Sequence, residues 1–361
     1  MTRGGRRSQP RAGRGMTLVE LMVGLAVGLF VSLIAIAVFV STRTINVVSS
    51  SGTRMGENSR LAMDVLHEEL RSAGFQGCHG RAADPPLSVL NTAAAADAGF
   101  LDTGTNGVAG HRGTGTGFSP ALGAALAGLS PAPVNNSDIL SVRVPADNLS
   151  FGLTLTMPNT SAAPQVGASA VNGRSTFQQG DIALIASCKA GTIFQVTDAN
   201  PAATGNLAHT VGGGFIPGNA SLDLTQRYRG DAAVYRLQTR HYYVAPSQVH
   251  PGTNALWRFT VPSPAGDPNP QEVASGIDRL NVVWGVDTEG DQTVNRYVGA
   301  DVVTDWNQVV SARIQMLTAT TKDGVAQSAQ TVSFAGSDVV ATDRRLRTVL
   351  TEVVTLRART P

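Results

Sequence analysis

The chain lacks the signatures of the common enzyme classes. It has no G-x-S-x-G, no G-x-x-x-x-G-K-[ST], no H-E-x-x-H and no C-x-x-C, so nothing nominates a nucleophile elbow, a phosphate loop, a zinc-protease helix or a dithiol centre. Its six histidines are scattered, at 67, 79, 111, 209, 241 and 250, and none pairs with Cys or His at metal-ligand spacing. His67 and Glu68 begin to resemble a zinc helix, but the second histidine is missing, and a solvated helix face is the simpler reading. The run His241, Tyr242, Tyr243 is expected to split between sheet faces rather than to form a platform. There are two cysteines and no internal repeat. A nucleophile, base and acid could still meet in three dimensions, so an anchored periplasmic enzyme or adhesin stands as one alternative.

Two further absences are local. From Leu21 to Val40 there are twenty residues without charge or proline. At ~1.5 Å per residue they make roughly 30 Å of helix, the thickness of a bilayer core. Residues 1–15 contain no acid and five arginines (Arg3, Arg6, Arg7, Arg11, Arg14). A basic leader before an apolar run stays in the cytoplasm, which places the remainder outside the inner membrane. The run is too long for a secretory signal core, and no A-x-A site follows it. Without the five leader arginines, 23 basic residues remain against 26 acidic ones, a net charge of −3 instead of +2. A mildly acidic chain gives no argument for nucleic-acid binding.

One carboxylate, Glu20, sits at the mouth of the apolar run. An ionisable group at a membrane edge is costly and marks a functional position; the alternative is an acid favoured by the helix dipole. Gly15, Met16, Thr17, Leu18, Val19 and Glu20 together resemble the signal of type IV prepilins. That resemblance implies cleavage after Gly15 by the prepilin peptidase and N-methylation of Met16, where phenylalanine is usual. It also implies that Glu20 pairs with the N-terminal amine of a neighbouring subunit during filament assembly. The physics agrees, because a buried carboxylate needs a compensating charge. A pseudopilin of type II secretion shares this N-terminal logic.

In chain order, residues 1–15 read as leader. A helix is expected over 16–73, membrane-spanning at 18–40 and amphipathic at 41–73. Gly24 and Gly28 form a small-xxx-small pair that lets another helix approach closely, or they reflect the general use of glycine in membrane helices. No proline interrupts the segment, although many major pilins carry one. In the second half Ala62, Leu66, Leu70 and Ala73 follow helical spacing, flanked by Leu61, Met63 and Val65, with Arg60, Asp64, His67 and Glu68 facing away. Gly74 is a stop signal. Residues 74–136 are rich in Gly, Ala, Thr and Pro and show no strand pattern; they read as surface loop with a short helix near Ala121–Leu129.

From Ser137 to the end the pattern is β. Strands are expected at Ile139–Val144, Leu149–Met157, Asp181–Ser187, Thr192–Thr197, Ala233–Val244, Ala255–Val261, Leu280–Asp287, Val309–Ala319 and Arg344–Arg357. A hairpin closes near Lys189–Gly191. Leu280, Val282, Trp284 and Val286 share one face, and Val310, Ala312, Ile314 and Met316 another. The fold class is α+β: a long N-terminal helix packed on a mostly antiparallel head at 137–361. Cys78 and Cys188, placed in an oxidising compartment, are expected to pair, two buried thiols being the alternative. Asp287, Glu289, Asp291 and Asn295 present oxygens at alternate positions around Gly290, as a calcium loop would, and equally as a polar turn would.

Several segments, among them GDIALIASCKAGTIFQVT, YRLQTRHYYVA, EVASGIDRLNVVWGVDTEGD and DRRLRTVLTEVVTLRAR, resemble the PilW family of minor pilins. The resemblance implies the pilin fold. It further implies a role in the minor-pilin complex that primes or caps a type IV pilus, with other minor pilins and the major pilin as partners. The protein would be single-pass in the inner membrane, with a periplasmic head.

Overall fold

The computed structural model describes residues 16–77, 86–102, 107–147, 149–167, 177–212, 214–263 and 266–356. The chain divides into two units, residues 1–51 and 52–361. One element runs through the division: helix α1 spans Leu18–Ser72, within two residues of the expected bounds. From Leu21 to Val40 this helix is apolar all round and its large side chains are exposed, Leu29 at 68% and Phe30 at 65%. A helix without a polar face has no stable place in water, so this part needs lipid or other helices around it. It is long and apolar enough to cross a membrane.

The second unit begins with the rest of α1. Ala62, Leu66, Leu70 and Ala73 are buried as their spacing predicts, with Met63 beside them. Leu61 instead stays 49% exposed, because the stripe is narrower than its apolar flanks suggest. Truncating Leu66 or Leu70 to Ala would cost about 2–5 kcal/mol, since both lie wholly within the core. The helix ends at Gly74, whose φ is +73° and whose N–H donates to the Arg143 carbonyl.

Sixteen strands follow: β1 Leu87–Ser88, β2 Val108–Gly113, β3 Phe118–Ser119, β4 Ile139–Pro145, β5 Phe151–Gly152, β6 Ile182–Ala186, β7 Gly191–Gln195, β8 Ala233–Pro246, β9 Asn254–Val261, β10 Gln271–Ser275, β11 Ile277–Val286, β12 Arg296–Gly299, β13 Val309–Ala319, β14 Thr331–Phe334, β15 Ser337–Val340 and β16 Arg347–Thr355. Short helices α2 (Thr92–Asp97), α3 (Ala124–Ala127) and α4 (Pro201–Thr204) lie among them. Ten strands form one sheet in the order β1-β7-β6-β8-β4-β2-β3, with β5 and β9 also on β8 and β10 on β9. A second sheet runs β12-β11-β13-β16, and β14–β15 is a separate hairpin. Among the described residues the strand pairings are antiparallel except β1 with β7. The amphipathic part of α1 shares one core cluster with β4 and β8 of the larger sheet and β11 and β13 of the smaller. This is the expected α+β arrangement of a helix on a sheet head.

Asp138 joins the two sheets. It accepts from Gly113 N at 2.9 Å, Val282 N at 2.8 Å and Asn281 Nδ2 at 3.2 Å, and burial pushes its carboxyl above the usual range. Three donors aimed at one carboxylate hold β2 and β11 in register.

Residues 74–136 are not only loop. They contain β2, a full member of the large sheet paired with β4, and α2, which buries Ala95 against Leu90 and Phe100. The glycines that read as loop residues are close-contact residues. A Cβ on Gly107 would lie 1.9 Å from Gly74 N, and one on Gly113 would lie 2.7 Å from the Asn135 carbonyl. Leu149–Met157 is the reverse case, with only Phe151–Gly152 as strand. The smaller sheet keeps its predicted faces with one exception. A bulge opposite Gly285–Val286 makes Val310 the extra residue, so Val309 joins Ala312, Ile314 and Met316 in the core cluster.

Candidate functional site

Of the residues the sequence nominates, Gly15 lies outside the described residues. Thr17 and Glu20 form a reciprocal cap at the start of α1. Glu20 Oε2 accepts from Thr17 N and Thr17 Oγ1, both at 3.1 Å, while Glu20 N donates to Thr17 Oγ1 at 3.2 Å. This is a capping box, which satisfies donors a helix start otherwise leaves open. It uses one carboxylate oxygen; Oε1 has no partner among the described residues. Glu20, Gly24, Gly28 and Ser32 recur every four residues and line one groove along the helix, with Met16 at its head. A Cβ on Gly24 or Gly28 would meet nothing within 4 Å, so the groove is open along both glycines. The carboxylate and the small-residue stripe are therefore one surface.

In the second unit two charged contacts tie α1 to the head. Arg240 on β8 donates to Glu69 Oε1 at 2.5 Å, the two side chains being 19% and 10% exposed. His67, expected to face away from the stripe, instead meets Glu352 on β16 while its side chain stays 34% exposed. One contact reaches each sheet. Glu69 was not singled out by sequence reasoning. Its one signal is an acid directly before Leu70, on the edge of the apolar stripe. Asn58 Nδ2 adds a bond to the Ser275 carbonyl at 3.1 Å.

The aromatic run splits as expected. Tyr242 packs in the cluster with α1, and Tyr243 in the one with Trp257 and Leu126. His241 accepts at Nδ1 from Ser141 Oγ and donates from Nε2 to the Gly99 carbonyl, each at 2.7 Å. A carbonyl can only accept, so the neutral Nε2–H tautomer is fixed. Burial drives the His241 pKa down to about 4. A serine beside a histidine could suggest nucleophilic chemistry, but Ser141 is 1% and His241 2% exposed, so no substrate reaches them.

The loop at 287–295 is closed by its own backbone. Asp287 Oδ1 accepts from Glu289 N and Gly290 N, and Oδ2 from Gln292 N at 2.7 Å. Asp291 binds Thr293, and Asn295 binds Thr288. Asp287, Asp291 and Asn295, three of the residues expected to surround calcium, thus spend oxygens on donors of their own loop. Among the described residues no group of three His, Cys, Asp or Glu side chains could hold a metal ion. Cys188 lies in the turn of the β6–β7 hairpin, which closes through Ser187 N to the Ala190 carbonyl near the expected place. Cys78 lies outside the described residues.

Residues 241–358 match the family model described as type IV pilus-assembly protein W, and residues 10–36 match that of the prokaryotic N-terminal methylation motif. The chain is pilin-like: a segment similar to PilW proteins lies behind a prepilin-type N-terminus. No curated protein and no solved structure matches the chain. The PilW match covers β9 to β16 and the end of β8, hence the whole smaller sheet and Glu352. The methylation-motif match covers the capping box and both glycines of the groove. Both families are pilus structural or assembly proteins and not enzymes, and the motif implies processing by prepilin peptidase.

Proposed function

We propose that this pilin-like protein is a non-catalytic minor pilin that acts in the complex priming or capping a type IV pilus. Before incorporation it is held in the inner membrane by residues 18–40, in a single pass with its head in the periplasm. The observation that carries the reading is the open groove on α1, headed by a carboxylate with one free oxygen. A neighbouring helix can lie against Gly24 and Gly28 while Glu20 Oε1 receives the N-terminal ammonium of the adjacent subunit. Other minor pilins and the major pilin supply those helices. A type II secretion pseudopilin would use the same groove; the match of residues 241–358 favours the pilus.

The test is the N-terminal mass of the protein from cells with and without prepilin peptidase. The expected chain begins at N-methylated Met16 only where the peptidase is present. A chain beginning at Met1 in both overturns the reading. Deletion of the gene is expected to remove surface pili, and normal piliation with defective secretion would reassign the protein to the pseudopilins.

A further inference from the structure

A cleft of about 270 Å³ opens beside the start of β16. The β8–β9 turn and the end of β15 form its walls, and Asp278, Arg279, Asp343, Arg345 and Arg347 supply its charges. Both acids are already engaged. Arg347 donates from Nε to Asp278 at 2.9 Å and from Nη1 and Nη2 to the two oxygens of Asp343, at 2.5 and 3.0 Å. Arg345 is held more loosely. Its Nη2 donates to the Gly252 carbonyl at 2.8 Å, its Nε stands 3.7 Å from Asp343, and that Nε is buried without a hydrogen bond. The Arg279 side chain has no hydrogen bond or ion pair among the described residues. Its aim follows from the backbone. The register slips between Ile277 and Arg279, and a bulge there lets consecutive residues Asp278 and Arg279 line the same cleft.

Three guanidiniums against two neutralised carboxylates leave an excess of one positive charge. We propose that the cleft receives a single carboxylate from a protein partner, a Glu or Asp side chain on an exposed segment, with Arg279 and Arg345 as donors. A guanidinium presents paired N–H groups that match the two oxygens of a carboxylate. The volume is below the ~300–1,000 Å³ usual for small-molecule pockets, and it suits one side chain. A phosphate dianion would leave negative charge unbalanced beside Asp278 and Asp343.

Isothermal titration of the full chain in detergent micelles tests this, with acetyl-Gly-Glu-Gly-amide, sodium acetate and inorganic phosphate as probes. The Glu peptide is expected to bind saturably and more tightly than acetate or phosphate. Arg279→Ala is expected to weaken it by about tenfold or more. Arg279 makes no hydrogen bond or ion pair among the described residues, so its removal is expected to leave the melting temperature in place, and the loss reads on binding alone. No peptide binding, or binding indifferent to Arg279→Ala, overturns the proposal. Acetate as tight as the peptide assigns the cleft to free small anions, and phosphate as tight or tighter assigns it to phosphate; either result overturns it too.

Discussion

Glu69 and Arg240 meet at the boundary between α1 and the large sheet, and they are the only pair there whose charges are both mostly shielded from water among the described residues. Glu69 Oε2, its second oxygen, is buried without a hydrogen bond, and the nearby Tyr242 hydroxyl is held protonated first by its own burial and second by the Glu69 charge. A half-satisfied charge in that position stabilises little by itself, but it is expensive to disrupt from one side. Glu69→Leu should therefore cost about 3 kcal/mol by leaving Arg240 uncompensated, and Arg240→Met a similar amount. The double variant should recover most of that loss. Urea unfolding of the four proteins in a double-mutant cycle measures it; additive losses would mean that the pair is not coupled.

Acid should loosen the head through its histidines. The folded-state pKa of His241 is lowered from 6.5 to about 4, so the folded protein keeps it neutral while the unfolded chain takes up a proton. Its contribution is complete above about pH 6.5 and is lost as pH falls toward 4. Between pH 6.5 and pH 5 that amounts to about 2 kcal/mol. Burial lowers His111 and His209 in the same direction. Asp138, Asp181 and Asp278 are raised by burial and work oppositely, gaining stability as pH falls through the range above 3.8. His241→Gln can accept from Ser141 and donate to Gly99, so it should flatten the fall in urea midpoint between pH 7 and pH 5. An unchanged slope would show that His241 titrates normally.

The packing of Gly77 supports the expected pairing of Cys78 with Cys188. Gly77, the residue before Cys78, packs so closely that a Cβ on it would lie 3.0 Å from the Ala186 Cβ, two residues before Cys188. That brings the chain at 77 to the hairpin that carries Cys188. Closing a loop of 110 residues should stabilise the protein by roughly 4–5 kcal/mol. Non-reducing peptide mapping is expected to recover the two cysteines in one linked species. Two separate alkylated peptides would exclude the bridge.

Legibility in the sequence followed how far each signal depends on the chain alone. The long helix was readable because an uncharged run and Gly74 are both local signals; the capping box of Thr17 and Glu20 emerged only in the structure. Strands β11 and β13 were readable because Leu280, Val282 and Trp284, and Ala312, Ile314 and Met316, alternate against one core. Val310 was misplaced by a single bulged residue, which no periodicity encodes. Strand β2 was hidden because Gly107 before it and Gly113 at its end, read as loop formers, are there to admit the Gly74 backbone and the Asn135 carbonyl. Glu69 and His67 owe their roles to partners 171 and 285 residues away, which no local pattern encodes.

Glu20 can be a cap, a counter-charge, or both, and one substitution separates these roles. Glutamine serves in a capping box as well as glutamate does, because it still presents an oxygen to the Thr17 donors. It carries no charge, so it cannot neutralise an ammonium from an adjacent subunit. Glu20→Gln should therefore leave the helix start and the N-terminal processing as they are, with a mature chain beginning at Met16. Surface piliation should fall to the level of Glu20→Ala. Electron-microscopic pilus counts together with N-terminal mass read both quantities from the same cells. Full piliation in Glu20→Gln with loss in Glu20→Ala would mean that the residue acts only on its own helix, through Thr17. In that case the free Oε1 of Glu20 would have no counterpart in the filament.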